Sequence, residues 1–290
     1  MTMLNAPPGA RRGRRAPVRT LEVAYTPDSD DAFNFYAWEH GPVRLAGWRA
    51  RFHRDHIGAL NRAAGEGRYH VVNVSSVAYP AVADRYWILA TGSSVGRGYG
   101  PMLVSRDVSD AASLRGRRVA VADLNTTGGR LAQMYVPGAQ FVACPYDQVA
   151  DAILAGEVDA GVMIHEELVH FPKRGLRLVM NLGAAWTADT KLPLPVGLNL
   201  VRRDLGRATA EAVQRACRAS LGWALANAAE AMAHAAGFGR GCADAFVPMF
   251  SNDDTRRLAD DVRAGLAVMF ARLEAMGVAP APKTLEVVDA

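Results

Sequence analysis

Two hydrophobic periods alternate along this chain. Apolar runs of strand length occur at residues 21–25, 69–75, 87–91, 119–122, 140–144, 159–164 and 176–182, each stopping at polar or glycine-rich positions. The stretches between them have helical spacing: Ile57, Leu60 and Ala64 share one face of a helix over 55–67, and residues 32–38, 130–135 and 148–155 read as shorter helices. Pro27 ends the first strand, and the Asp28-Ser29-Asp30-Asp31 cluster suits the cap of the next helix. Strands alternating with helices imply mainly parallel sheets with helices on both faces.

Two segments break the alternation. Residues 102–105 are apolar enough to be buried and can cross from one unit to another, and residues 192–203 run apolar through Pro193 and Pro195 like a rigid return crossover. Everything after Asp204 reads as helical, with a break expected near Asn227. The predicted architecture is therefore two α/β lobes joined by two crossovers, with a ligand cleft between them. One lobe takes residues 21–105 and 196–290, its helical end folding back on it, and the other takes 106–195.

Charge changes the picture little. The formal charge is +4, but Arg11, Arg12, Arg14, Arg15 and Arg19 lie in an acid-free leader, and without them 28 basic residues face 29 acidic ones. A nearly neutral body gives no reason to expect a nucleic-acid partner. The leader, residues 1–20, is rich in Pro and Gly and is expected to be disordered. It lacks the apolar stretch of about 7 to 15 residues that a secretory signal needs, and no run has the length of a membrane span. Cys144, Cys217 and Cys242 are odd in number and widely spaced, which fits reduced thiols in a cytoplasmic protein.

Candidate chemistry gathers at strand ends. His165 closes the run Asp159-Ala160-Gly161-Val162-Met163-Ile164 and precedes Glu166-Glu167, which puts an imidazole at a strand's carboxyl edge, where open α/β sheets bind ligands. Imidazole titrates at about pH 6.5, so it can serve as a base, or it can simply open a loop. The loops holding Asp28 and Asp30, Asn73, Val74, Ser75 and Ser76, and Thr126, Thr127 and Gly128 end other strands, and across a cleft they converge with His165. Their hydroxyls, amides and helix-start N–H groups suit a small ligand with hydroxyl or carboxylate groups, although each Ser/Thr pair can also cap a helix. Either Asp28 or Glu166 can orient His165.

Other motifs carry less. Gly96-x-Gly98-x-Gly100-Pro101 lacks the spacing of a phosphate loop and reads as a hinge or tight bend. His53 and His56 have no third ligand nearby, and a metal at His165, His170, Glu166 and Glu167 would need a donor from elsewhere. No Gly-x-Ser-x-Gly elbow supports a serine nucleophile.

Residues 26–37, Leu60-Asn61-Arg62 with Glu66-Gly67, Ala78-Tyr79 with Asp84-Arg85-Tyr86, Gly96 to Pro101, residues 156–161 leading into Ile164-His165-Glu166, and Leu192-Pro193-Leu194-Pro195 with Arg202 to Gly206 occur in a telling order. In these stretches the chain resembles the 1,4-dihydroxy-6-naphthoate synthases of the futalosine route to menaquinone. The resemblance implies the type II periplasmic-binding-protein-like fold. It also implies a carbon–carbon lyase acting on cyclic dehypoxanthinyl futalosine, with His165 as base, no metal or redox cofactor, and substrate contacts at Asn73 to Ser75 and Thr126 to Gly128. The chain departs from the family pattern at His170-Phe171, Ala185-Trp186, Thr190-Lys191-Leu192 and around Met249-Phe250-Ser251-Asn252, and Asn73 stands where relatives vary. These departures keep a second expectation open: a non-enzymatic binder, or a sister enzyme, for another small carboxylated ligand on the same scaffold.

Overall fold

The computed structural model describes residues 18–290, so most of the basic leader lies outside the described residues. Twelve strands form two sheets: β1 (Arg19–Tyr25), β2 (Trp48–Arg54), β3 (Val71–Ser75), β4 (Tyr86–Leu89), β5 (Ser94–Gly96), β6 (Met102–Ser105), β7 (Arg118–Val121), β8 (Gln140–Ala143), β9 (Ala160–Met163), β10 (Arg177–Asn181), β11 (Leu194–Arg202) and β12 (Val287–Val288). The first sheet has the order β12-β4-β11-β3-β1-β2, with β5 also on β11, and the second the order β10-β6-β9-β7-β8. Helices fill the crossovers between parallel strands.

Both sheets are mixed rather than mainly parallel. The antiparallel pairings involve β6 in the second sheet and β11 in the first, the strands that follow the two passages of the chain between sheets. The passages run through residues 97–101 and 191–193, so β6 pairs with the second sheet and Leu194 with the first.

Local chemistry accounts for the differences from expectation. The first strand starts at Arg19 because its N–H donates to Gly47 O at 3.1 Å and its guanidinium lies 4.1 Å over the Trp48 ring. Strand β2, absent from the sequence reading, is an edge strand with Arg49 and Arg51 pointing to solvent and Ala50 and Phe52 half-buried. The C-terminal part is not wholly helical, since β12 adds to β4 through Ile88 N to Glu286 O and Ala90 N to Val288 O, both 3.1 Å.

The C-terminal helices cover the first lobe. Helix Arg207–Ala226 buries Ala210, Val213, Ala216 and Cys217 with Phe35 and Trp38 of helix Ser29–Glu39. Ser220 Oγ locks the pair, donating to Asn34 O at 2.7 Å and accepting from Trp38 N at 3.1 Å. The break at Asn227 separates this helix from Ala228–Ala235. Helix Asp260–Ala275 packs Val262, Leu266, Met269, Phe270 and Leu273 into the main core.

The glycine-rich passage is a tight bend. A Cβ on Gly96 would lie 1.8 Å from Tyr99 O, which only glycine avoids. Arg97 secures the bend with paired bonds of 2.7 Å to Asp254 and another of 2.7 Å to Asp261. Cys144, Cys217 and Cys242 form no disulfide, and no helix among the described residues is long and apolar enough to cross a membrane.

Candidate active site

A cleft lies between the two sheets, at the carboxyl ends of the parallel strands. Asp28, Asp30, Asn73, Val74, Ser75, Thr126, Thr127, Gly128 and His165 all line it. Ser76 does not: it is fully buried behind the wall.

Asp28 occupies the cap position of helix Ser29–Glu39, but its side chain makes no capping bond. The carboxylate turns instead to the Thr26 hydroxyl, 3.0 Å from Oδ2, and to Nδ1 of His165. Asp31 sits beside it, with Oδ2 2.5 Å from the Thr26 hydroxyl and both oxygens 2.6 Å from Asn73 Nδ2. Asp30 completes a buried group in which one oxygen from each of the three carboxyls lies within 4.8 Å of the others. Such a group offers oxygen ligands to a hard cation, but Asp31 is occupied by Asn73 and Thr26, and Asp28 by Thr26 and His165.

His165 follows β9 with φ of 53°, a left-handed backbone shared with only one other non-glycine among the described residues, Lys191. Non-glycine residues pay roughly 1–3 kcal/mol for such a conformation, which persists where surrounding contacts over-determine it, often at functional sites. Here the strain turns the ring from the strand end towards Asp28, and the Tyr146 ring packs 4.7 Å from it. The side chain is only 15 % exposed, and its Nε2 is closed off from solvent with no protein partner. A neutral ring that donates its Nδ1 proton to Asp28 carries its lone pair at Nε2.

Burial dominates the protonation of these groups. It pushes His165 below its ordinary value, against the opposing pull of Asp30, Asp31, Glu166 and Glu167. Burial also raises Asp28 and Asp30 well above the carboxylate range, and the charges of their carboxylate neighbours raise them further. Asp31 rises by burial, partly offset by the bonds from Thr26 and Asn73. Close like charges in a dry site cannot all ionise freely.

The opposite wall is neutral and partly structural. Thr126 caps helix Thr127–Tyr135, accepting from Gly129 N at 3.1 Å and donating to Asp123 O at 2.6 Å. Thr127 Oγ1 donates to Val196 O at 2.6 Å. The helix therefore starts at the cleft, where first-turn N–H groups favour an anion. Asn61, which the sequence did not single out, joins the lobes: it accepts from Ser75 N at 2.9 Å and donates to Asn125 O at 3.0 Å. Also unanticipated is an apolar wall that includes Ile57, Leu168, Leu198, Phe246 and Phe250. The Phe246 and Phe250 rings lie 5.1 Å apart, four residues apart on one helix face, a spacing that was readable as a stripe but resembled ordinary core.

The other candidate clusters resolve into hydrogen bonds and one ion pair, Glu167 with Arg240. His53 Nε2 sits 2.6 Å from Glu22 Oε2, while Glu166 and Glu167 bond to Ser29 and Arg240. Asp28, not Glu166, meets His165.

An imidazole and a carboxyl group supplied by opposite lobes meet across the cleft of a two-lobed α/β protein with the type II periplasmic-binding-protein-like fold. The alkanesulfonate-binding protein SsuA of Xanthomonas axonopodis pv. citri has this fold at TM-score 0.69 and 15 % identity, over 94 % of this chain and 97 % of that one. Closer relatives narrow the class. A family model described as menaquinone biosynthesis matches residues 21–275. The 1,4-dihydroxy-6-naphthoate synthase of Thermus thermophilus is 38 % identical over 273 residues, 92 % of this chain and 99 % of that one. A crystal structure of a protein from Archaeoglobus fulgidus superposes at TM-score 0.83 with 38 % identity, over 89 % of this chain and 98 % of that one. The chain belongs to the 1,4-dihydroxy-6-naphthoate synthase family of menaquinone biosynthesis.

Proposed function

We propose that this protein is a cofactor-independent carbon–carbon lyase that fragments cyclic dehypoxanthinyl futalosine to 1,4-dihydroxy-6-naphthoate and a sugar-derived fragment, with His165 as the general base. The observation that carries the reading is the Asp28–His165 pair, in which the ring lines the cleft and its Nε2 has no protein partner. Asp28 holds the ring and its tautomer, and Nε2 takes the proton that starts fragmentation. The apolar wall with Phe246 and Phe250 accommodates the aromatic part of the substrate, while the helix start at Thr126 to Gly128 receives its carboxylate. A positioned base contributes about 10² to 10⁴ in rate, so orientation by the enclosing lobes must supply more.

The departures from the family pattern support this substrate over another carboxylated ligand. His170, Phe171, Ala185, Trp186, Thr190, Lys191, Leu192, Met249, Ser251 and Asn252 are all outside the cleft lining, and of the departing positions only Asn73 and Phe250 reach it. The test is incubation of the purified protein with cyclic dehypoxanthinyl futalosine, following naphthoate release beside His165→Ala. Wild type is expected to turn over and the variant to be slower by about 10² to 10⁴. A wild type that releases no naphthoate overturns the reaction, and a variant as fast as wild type overturns the role of His165.

A further inference from the structure

Glu166 stands next to the base yet never touches its ring. Its carboxylate is 1 % exposed and tied to chain segments distant in sequence. Oε1 accepts from the hydroxyl of Ser29, at the start of the first lobe's helix Ser29–Glu39, and Oε2 accepts from the backbone N–H of Arg240 and from that of Cys242 at 3.2 Å. The loop carrying these amides joins helix Ala228–Ala235 to helix Ala243–Phe250, in the helical part that packs on the first lobe. Glu166 itself follows β9 of the second sheet.

The loop is shaped to this carboxylate. Gly239 has φ of +65°, and a Cβ there would lie 2.2 Å from Glu166 Cδ and 2.4 Å from its Oε1. The neighbouring Glu167 grips the Arg240 guanidinium through Nε, and Nη2 of the same side chain donates to Asp147 O at 2.8 Å. Two consecutive glutamates thus hold one arginine by its backbone and its side chain, on the chain segment immediately following the strained His165 backbone.

We propose that Glu166 is a positioning residue: a latch that ties the second lobe to Ser29 and to the Gly239–Cys242 loop, and by doing so holds the cleft shut and His165 against Asp28. The positioning role rests on the reading of His165 as the base, whereas the latch does not. Opening of the lobes separates Glu166 from Ser29 and the loop amides in the same movement that separates His165 from Asp28.

Substrate-free measurements on the full chain test the latch. In small-angle scattering, Glu166→Ala and Gly239→Ala are expected to have a larger radius of gyration than wild type. Glu166→Gln keeps an acceptor for the two amides and gains a donor for Ser29, and it is expected to retain the wild-type dimension. Ser29→Ala, which introduces no bulk, loosens the same joint from the other side and guards against misfolding of the harsher variants. The ¹⁵N resonances of the His165 ring report its tautomer, which is expected to change in the Ala variants and to return to the wild-type pattern in Glu166→Gln. In turnover, Glu166→Ala is expected to lose about 10²-fold in kcat, and Gln to recover most of it. Unchanged scattering and ring resonances in Glu166→Ala, Gly239→Ala and Ser29→Ala overturn the latch, as does a Gln variant no better than Ala. A wild type inactive on cyclic dehypoxanthinyl futalosine strikes the proposed reaction but leaves the scattering and resonance tests intact.

Discussion

Asp28 and His165 meet through Oδ2 and Nδ1, although one follows β1 of the first sheet and the other follows β9 of the second. The pair exists only while the lobes are apposed. Alanine at position 28 is expected to lower kcat by about 10² to 10⁴, because the ring loses both its orientation and the partner for its Nδ1 proton. Steady-state kinetics check this: a fall carried by kcat supports orientation, whereas a change confined to KM reduces Asp28 to a binding contact.

The pH dependence follows from the burial of His165. As the proposed base it must be neutral to accept a proton, and burial depresses its value in the folded protein. The acid limb of kcat/KM is therefore expected to break below about pH 6.5, the ordinary imidazole value. Stability carries the same sign, since the unfolded chain binds the proton more readily. The stability that neutral His165 contributes is present above about 6.5 and is lost as pH falls towards the folded value. A break at or above 6.5 in a pH profile of kcat/KM counts against this protonation state.

Asp30 works in the opposite direction. Its folded-state value is raised, so the stability linked to its proton is present below the ordinary 3.8 and is lost as pH rises through the folded value. Replacement by Asn keeps the shape without the ionisation. Asp30→Asn is expected to melt at a higher temperature than wild type at pH 7, with the gain narrowing as the pH is lowered towards 5. Scanning calorimetry at both values measures it, and a lower melting temperature at pH 7 would contradict the electrostatic cost assigned to this side chain.

Gly92 lines the cleft with φ of +105°, and a Cβ built there would lie 1.8 Å from Asn199 Nδ2 on the neighbouring strand β11. Gly92→Ala is expected to destabilise the protein by about 1–3 kcal/mol from the backbone alone, with the displacement of Asn199 added. Denaturant unfolding gives the value directly, and a loss below about 0.5 kcal/mol would mean that the loop relaxes freely.

The alternation of strand and helix was legible because runs such as Val71-Val72-Asn73-Val74-Ser75 are buried along their whole length and end in polar loops. Edge elements were harder. Strand β2 buries only part of one face among arginines, and β12 is two residues whose pairing depends on a partner some 200 positions earlier. In the site, His165 was visible because an ionisable ring ended an apolar run. Which of its two candidate partners meets it was not: Glu166 is adjacent in sequence, but the positive φ of His165 turns its ring towards Asp28, and no local pattern encodes that turn. Phe246 and Phe250 had the spacing of a core helix, and only the second lobe's position turns that face into a ligand wall.

The two sheets differ in how the chain supplies them. All five strands of the second come from one unbroken stretch, from Met102 to Asn181, and can pair with one another before the chain is complete. The first draws its strands from both ends of the chain and is complete only when Val287 and Val288 reach the edge of β4. On a ribosome, the lobe bearing His165 is thus the first unit that can assemble, and the lobe bearing Asp28 closes its sheet last.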